Sequence, residues 1–259
     1  MKRQQTDWIA LGRKYPLAAV IVVVLLLIGC VVYLFISWRL RANAPKPPEA
    51  AGAAVALEKA EKPQPLNAPF KGCPPEGDGG DPVLNRLKNR IDEGNYIPVA
   101  FDTIVQLPWP EAIERRNRKN WPASDAAEVA RFEGAPVAVE GFLVGSKQEG
   151  PESPNCHGAD AEFRDFHIWL AKTAGEDRSH SIVVEVTPPL RDKHPNWRTD
   201  RLGQINRRDQ RVRISGWLML DPEHPDQIGK TRGTIWEIHP VTKIEVMDGS
   251  SWTNIDDLR

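Results

Sequence analysis

Apolar and polar positions alternate with the period of a strand in four stretches of the C-terminal half. Phe166, Ile168 and Leu170 alternate with Asp165, His167 and Trp169, and Ile182, Val184 and Val186 with Val183, Glu185 and Thr187. Val212, Ile214, Gly216 and Leu218 alternate with Arg213, Ser215, Trp217 and Met219; Trp236, Ile238 and Pro240 alternate with Ile235, Glu237 and His239. A period of two places each apolar set on one face of a sheet and each mixed set on the other. PVAVEGFLVGSK at 136–147 precedes these strands, and a helix capped by Thr199 and carrying Leu202 and Ile205 interrupts them. Strand-strand-strand-helix-strand-strand is the order of an OB-like five-stranded barrel, for which about 125 residues suffice. The expected fold class is mainly β with an α extension. The barrel occupies 135–248, followed by a C-terminal tail at 249–259.

The extension, 81–134, reads as short helices. Asp81-Pro82 opens one with a cap and a first-turn proline. Its apolar stripe is Val83, Leu84, Leu87 and Ile91, and Gly94 ends it. Asp125 with Glu128 resembles a capping box for a second helix that ends near Gly134. Before the extension, 39–80 is dense in Pro, Ala and Gly and has no sustained apolar face, so it reads as a tether. Its GDGGD run lacks the alternating ligands and closing Glu of a calcium loop.

No charged residue occurs from Tyr15 to Trp38. Twenty-four helical residues reach about 36 Å, against roughly 30 Å of hydrocarbon. Tyr15 and Trp38 occupy the interfacial positions, with Arg13, Lys14, Arg39 and Arg41 just outside. Residues 15–38 are therefore expected to cross the membrane once, with a short cytoplasmic N-terminus at 1–14. The alternative is a cleaved signal peptide ending at Ala42-Asn43-Ala44, but the apolar run exceeds the usual signal length. Lys2, Arg3, Arg13 and Lys14 before the span, against Arg39, Arg41 and Lys46 after it, favour an inner-membrane protein with its body outside the cytoplasm.

The 259-residue chain carries 34 Lys+Arg against 35 Asp+Glu, so bulk electrostatics argue against a nucleic-acid coat. Cys73 and Cys156 are the only cysteines beyond the apolar run. Outside the cytoplasm they could form a disulfide, and the alternative is two free thiols.

All six histidines lie between His157 and His239, which draws any chemistry to the barrel. In an OB barrel the second strand pairs with the third, and the last strand lies beside the third. That places Asp165 and His167, Glu185, and Glu237 and His239 on one outer face. The loop bearing Asn155, Cys156 and His157 hangs at one end, and Asp221 and His224 begin another loop.

Three chemistries fit this set. His167 or His239 could be a general base oriented by Glu185, Glu237 or Asp165. Cys156, His167 and His239 with a carboxylate could hold a divalent metal, the candidate cofactor. Or the imidazoles and carboxylates satisfy one another at a half-buried face. No CxxC, HExxH, GxSxG, P-loop or GxGxxG pattern is present. Trp169 and Trp217, with Arg213, could make a stacking platform for single strands or sugar, with Asn155 as a further ligand contact. The alternative is that both tryptophans pack beneath a helix or loop.

LNRLKNR, EGPESPNC with DFHIWL, VEVTP, RISGWLMLDPEH and RGTIWEIHPVTKIEV resemble a group of uncharacterised bacterial membrane-anchored proteins. The resemblance covers about 81–247, and WEIHPVTKIEV is its most specific part. It implies a recurrent domain and no particular activity. The function expected is binding of a ligand or protein partner at the cell envelope. The alternatives are a metal-assisted or general-base hydrolase acting on phosphodiesters, and a purely structural interaction module.

Overall fold

Residues 21, 23–31, 48–113 and 117–258 are described by a computed structural model of the chain. They fall in two units divided between Pro47 and Pro48. In the first, residues 21 and 23–31 are helical, and Leu25, Leu26, Leu27 and Val31 are exposed. Among the described residues no helix is long and apolar enough to cross a membrane. The expected span at 15–38 lies largely outside the described residues.

In the second unit, β-branched and aromatic side chains concentrate in five strands that close on themselves. These are β2 (Pro136–Gln148), β3 (Phe166–Ala171), β4 (Ile182–Val186), β5 (Arg211–Leu220) and β6 (Trp236–Asp248). Their order around the barrel is β2-β3-β4-β6-β5, and β5 returns to β2. Only β4 and β6 among these run parallel. The apolar phases of all five strands fill the interior, with Ile168, Leu170, Val184, Ile214, Leu218, Trp236 and Ile238 at or near zero exposure. Between β4 and β5 lie α5 (Pro188–Arg191) and α6 (Thr199–Arg207), and Leu202 and Ile205 of α6 join that core. The fold is thus mainly β, a closed five-stranded barrel with a few helices.

The extension comprises α2 (Pro82–Lys88), β1 (Ile97–Val99), α3 (Phe101–Val105) and α4 (Ala123–Ala130). Asp81 accepts hydrogen bonds from the Val83 and Leu84 amides, as its capping position predicts. The helix stops at Asn89 rather than Gly94, because the Asn89 side chain turns to donate to the carbonyls of Pro75 and Pro154. Val83, expected in the stripe, is exposed. The α4 cap is Pro122, and no Asp125–Glu128 capping box forms. β1 adds in parallel to β2, an element that alternation over three residues does not reveal.

Two segments expected to be loose belong to the folded unit. Residues 48–59 of the predicted tether form α1 (Pro48–Lys59), and Leu57 is fully buried in the core. In the GDGGD run, Gly77 adopts φ +68° and lies so close to Ser153 that a Cβ would stand 2.0 Å from its carbonyl oxygen. The tail at 249–259 supplies β7 (Ser251–Asn254), which pairs with β6, and the buried Ile255. Alternating apolar residues are absent from both segments, and their single anchors, Leu57 and Ile255, leave no periodic trace.

Pro240 occupies neither an edge nor a regular ladder position. β6 lies between β4 and β5, but its pairing with β4 ends at Ile238, two residues before the proline. Opposite β5 the register slips twice between Ile238 and Lys243, so Val241, not Pro240, takes the next core position. The bulge frees the proline from a ladder bond it has no N–H to make. The His239–Pro240 peptide is cis.

Candidate functional site

Register brings the polar phases together. His167 is the direct cross-strand partner of Glu185 and of Lys147, and Glu237 lies beside Val183 on the parallel edge. His167 Nδ1 stands 2.9 Å from Glu185 and 3.0 Å from Glu149, the first residue past the end of β2. His239 Nδ1 is 3.4 Å from Glu185 and 3.6 Å from Glu237. Asp165 accepts a hydrogen bond from Asn155 at 3.0 Å. Arg232, just before β6, reaches Asp221 at 2.9 Å and Glu237 at 2.8 Å, and His224 meets Asp221 at 2.7 Å. The expected His/carboxylate face therefore exists, and it is buried.

It is buried because the extension and one loop fold over it. Lys88 projects from the last turn of α2 and lies 3.9 Å from Glu152. The 149–157 loop is fixed to the segment preceding α2 by a disulfide between Cys73 and Cys156, whose Cα atoms are 5.8 Å apart. Between these walls and the barrel is a cavity of about 710 Å³. Lys88, Glu149, Glu152, His167, Glu185 and Arg232 are among the side chains that line it, with Trp169 and His224 at its margin.

Burial and pairing compete at each ionisable group. Burial works against the charged form of His167, but hydrogen bonds to Glu149 and Glu185 outweigh it and push the imidazole up to about 9. Glu185 is driven the other way: burial opposes ionisation, and His239 and His167 overcome it to hold the carboxyl well below its usual range. Burial opposes the charge on Lys88, yet Glu152, Glu185, Asp221 and Glu237 raise its pKa. Asp165 gets too little such help from His239 and Lys88. Burial, then Glu152 and Glu185, push it up to about 7.

These states limit the chemistry. An imidazole held protonated at neutral pH by two carboxylates donates hydrogen bonds; it is poorly suited to act as the general base expected of His167. His239 is likewise raised, burial being overcome by Glu185 and Glu237. Asp165, pushed up to about 7, does not line the cavity.

Three expectations need correction. Cys156 is bonded to Cys73 and has no thiolate to give a metal, so the Cys156/His167/His239 ligand set does not form. Asn155 is buried and donates to Asp165 rather than presenting itself to a ligand. The Trp169–Trp217–Arg213 platform is not assembled. Trp217 is buried under the Arg90 guanidinium, 3.3 Å from its ring centre, and donates to the Asp92 carbonyl. Trp169 sits beneath Arg178, and Arg213 pairs with Glu245. The sequence reading missed Lys88, Glu149, Glu152 and Arg232 as site residues. Arg232 had one available sign: it precedes Gly233, whose Cα packs against the His180 backbone so closely that a Cβ would meet it at 2.8 Å.

No family model and no curated protein matches this sequence.

Proposed function

We propose that this chain is a membrane-anchored envelope protein whose OB-like barrel binds a small polar ligand carrying both positive and negative groups. The observation that carries the reading is the cavity of about 710 Å³ whose lining mixes Lys88 and Arg232 with Glu149, Glu152 and Glu185. Its volume lies within the roughly 300–1,000 Å³ of small-molecule sites. Charges of both signs in one lining complement a dipolar molecule of the amino-acid or amino-sugar type better than one of a single sign. The strand order, with β4 and β6 parallel and a helix between β4 and β5, supports the OB reading. The disulfide supports an oxidising compartment, and the uncharged run at 15–38 supports an inner-membrane anchor. A recurrent bacterial domain of the WEIHPVTKIEV type fits the same picture.

Binding is favoured over general-base hydrolysis because His167, the imidazole of the buried cluster that lines the cavity, is held protonated by Glu149 and Glu185. The test is a thermal-shift screen of the full chain in detergent against free amino acids, amino sugars, dipeptides and sugar phosphates. Ligand at 100 times its Kd stabilises the folded state by about 2.7 kcal/mol. A dipolar ligand is expected to raise Tm with concentration, and Lys88→Met to weaken that response. No response to any dipolar ligand, or one that Lys88→Met leaves unchanged, overturns the assignment. For the anchor, the chain is expected to stay with the membrane pellet after alkaline extraction.

A further inference from the structure

Most charged groups around the cavity make close hydrogen bonds, whereas His239 has only the longer approaches to Glu185 and Glu237 at 3.4 and 3.6 Å. Its side chain is fully buried, and neither ring nitrogen has a hydrogen-bond partner. Beside it Asp165 is 1 % exposed, and its Oδ2 is also unpartnered. Polar atoms removed from water without a partner are costly, so two in one place call for a common explanation.

We infer that Asp165, Glu185 and His239 bind one first-row divalent cation of the Zn²⁺ or Mn²⁺ kind, behind the cavity wall. One ligand atom from each residue lies within 4.8 Å of the other two. Donors bound at about 2.1 Å to a single ion are at most about 4.2 Å apart, so a slight closing of the trio completes the site. Glu149, His167 and Glu185 lie equally close together, but His167 Nδ1 is already paired with both carboxylates. That trio keeps one unused atom, His167 Nε2, whereas the Asp165 trio has unused atoms on two residues, Asp165 Oδ2 and both nitrogens of His239.

The surroundings hold those donors in place. Asn155 donates to Asp165 Oδ1, which leaves Oδ2 for the ion, and the adjoining Cys156–Cys73 disulfide fixes the Asn155 loop. His167 donates to Glu185 Oε1, leaving Oε2 on the side of His239. Hydrogen bonds of this kind orient metal ligands. The field is favourable too: Glu149, Glu152, Asp165, Glu185, Asp221 and Glu237 face two permanent cations, Lys88 and Arg232. Imidazole with two carboxylates suits Zn²⁺ or Mn²⁺, whereas Mg²⁺ and Ca²⁺ favour all-oxygen sets. Glu185 belongs to both the trio and the cavity lining, so the ion and the cavity share one wall. This assignment goes beyond the ligand reading and does not depend on it.

The full chain in detergent is stripped with chelator, dialysed and titrated with Zn²⁺ by calorimetry. Mn²⁺ binding is followed by electron paramagnetic resonance. One equivalent of Zn²⁺ is expected, with coupling of bound Mn²⁺ to imidazole nitrogen. Asp165→Asn and His239→Gln should each weaken binding more than tenfold, and Asn155→Ala about tenfold. His157→Ala, which alters an exposed histidine paired with Asp78, should leave binding unchanged. Near-UV circular dichroism checks that each variant is folded. Should His239→Gln fail to fold, the wild-type spectrum and Asn155→Ala decide. Absence of one-equivalent binding, absence of nitrogen coupling, or affinity unaltered in a folded His239→Gln or Asn155→Ala overturns the site and leaves a buried water as its occupant. A negative ligand screen with positive metal binding would refute only the cavity assignment.

Discussion

His167 Nδ1 lies 2.9 Å from Glu185 across directly paired positions of adjacent antiparallel strands. A cross-strand neighbour is the closest contact a sheet offers, so this ion pair is built into the barrel's register rather than into a loop. Everything else in the cluster is arranged around it. Glu149 reaches the same imidazole from the end of β2, and His239 approaches the same carboxylate from β6.

The Arg232 guanidinium depends on pairing for its place. It is 4 % exposed and joins Asp221 to Glu237, so Arg232→Met removes the guanidinium shared by two buried carboxylates and leaves Asp221 with His224 alone. Breaking one side of a buried ion pair costs about 3–5 kcal/mol. Chemical denaturation should show a loss of that size, and adding Asp221→Asn and Glu237→Gln should recover part of it. Equal stability of the single and triple variants would contradict the account.

Gly216 is required by the bulge at Pro240. A Cβ at this position would lie 2.3 Å from the Pro240 carbonyl oxygen, 2.6 Å from Ile238 Cγ2 and 3.0 Å from Val241 Cα. Two of the three obstacles are backbone, which cannot swing aside. Overpacking a core typically costs about 1–3 kcal/mol, and Gly216→Ala should fall at the upper end by urea denaturation. Trp217→Phe in the same strand removes the Nε1 bond to the Asp92 carbonyl but creates no clash, and should cost less.

The Cys73–Cys156 bridge links positions 83 residues apart, so its removal frees a long loop in the unfolded chain. Loss of a native disulfide typically costs about 2–5 kcal/mol. Cys73→Ser/Cys156→Ser should show that drop in urea. It should also weaken metal binding, since Asn155 is then no longer held against Asp165. A double variant that loses stability but binds metal normally would separate the bridge from the site.

Alternation explains how much of this is legible in the sequence. Period two alone assigns His167, Glu185, Glu237 and His239 to the outer phase, and the predicted strand order then makes them neighbours. Lys88, Glu149 and Glu152 have no such signal: they come from a seven-residue helix and a loop, where no period links residue number to direction. The burial of Trp169 and Trp217 is hidden for a related reason. Both occupy the outer phase, and the cations that cover them, Arg178 and Arg90, come from segments without periodic pattern. The cysteine pair was legible only as one of two possibilities, because sequence separation contains no distance. Pro240 was readable as a bulge or an exposed edge, but the choice between them was not, because neighbouring-strand lengths decide where pairing stops.

The same His167–Glu185 pair makes stability depend on pH. The folded imidazole is raised from 6.5 to about 9, so its contribution is full below pH 6.5 and is lost as pH rises toward 9. That shift corresponds to at most about 3.5 kcal/mol, since one unit is worth about 1.4 kcal/mol. Glu185 has the opposite sign. Its folded pKa is depressed, so its contribution is present above its unfolded value of 4.5 and is lost as pH falls below it. Urea denaturation of the chelator-treated full chain should therefore weaken on both sides, with the alkaline limb between pH 6.5 and 9 belonging to His167. His167→Gln should lower stability at pH 6 and flatten that limb, leaving nearly equal stabilities at pH 9. A limb of undiminished slope in this variant would assign the alkaline loss to other groups.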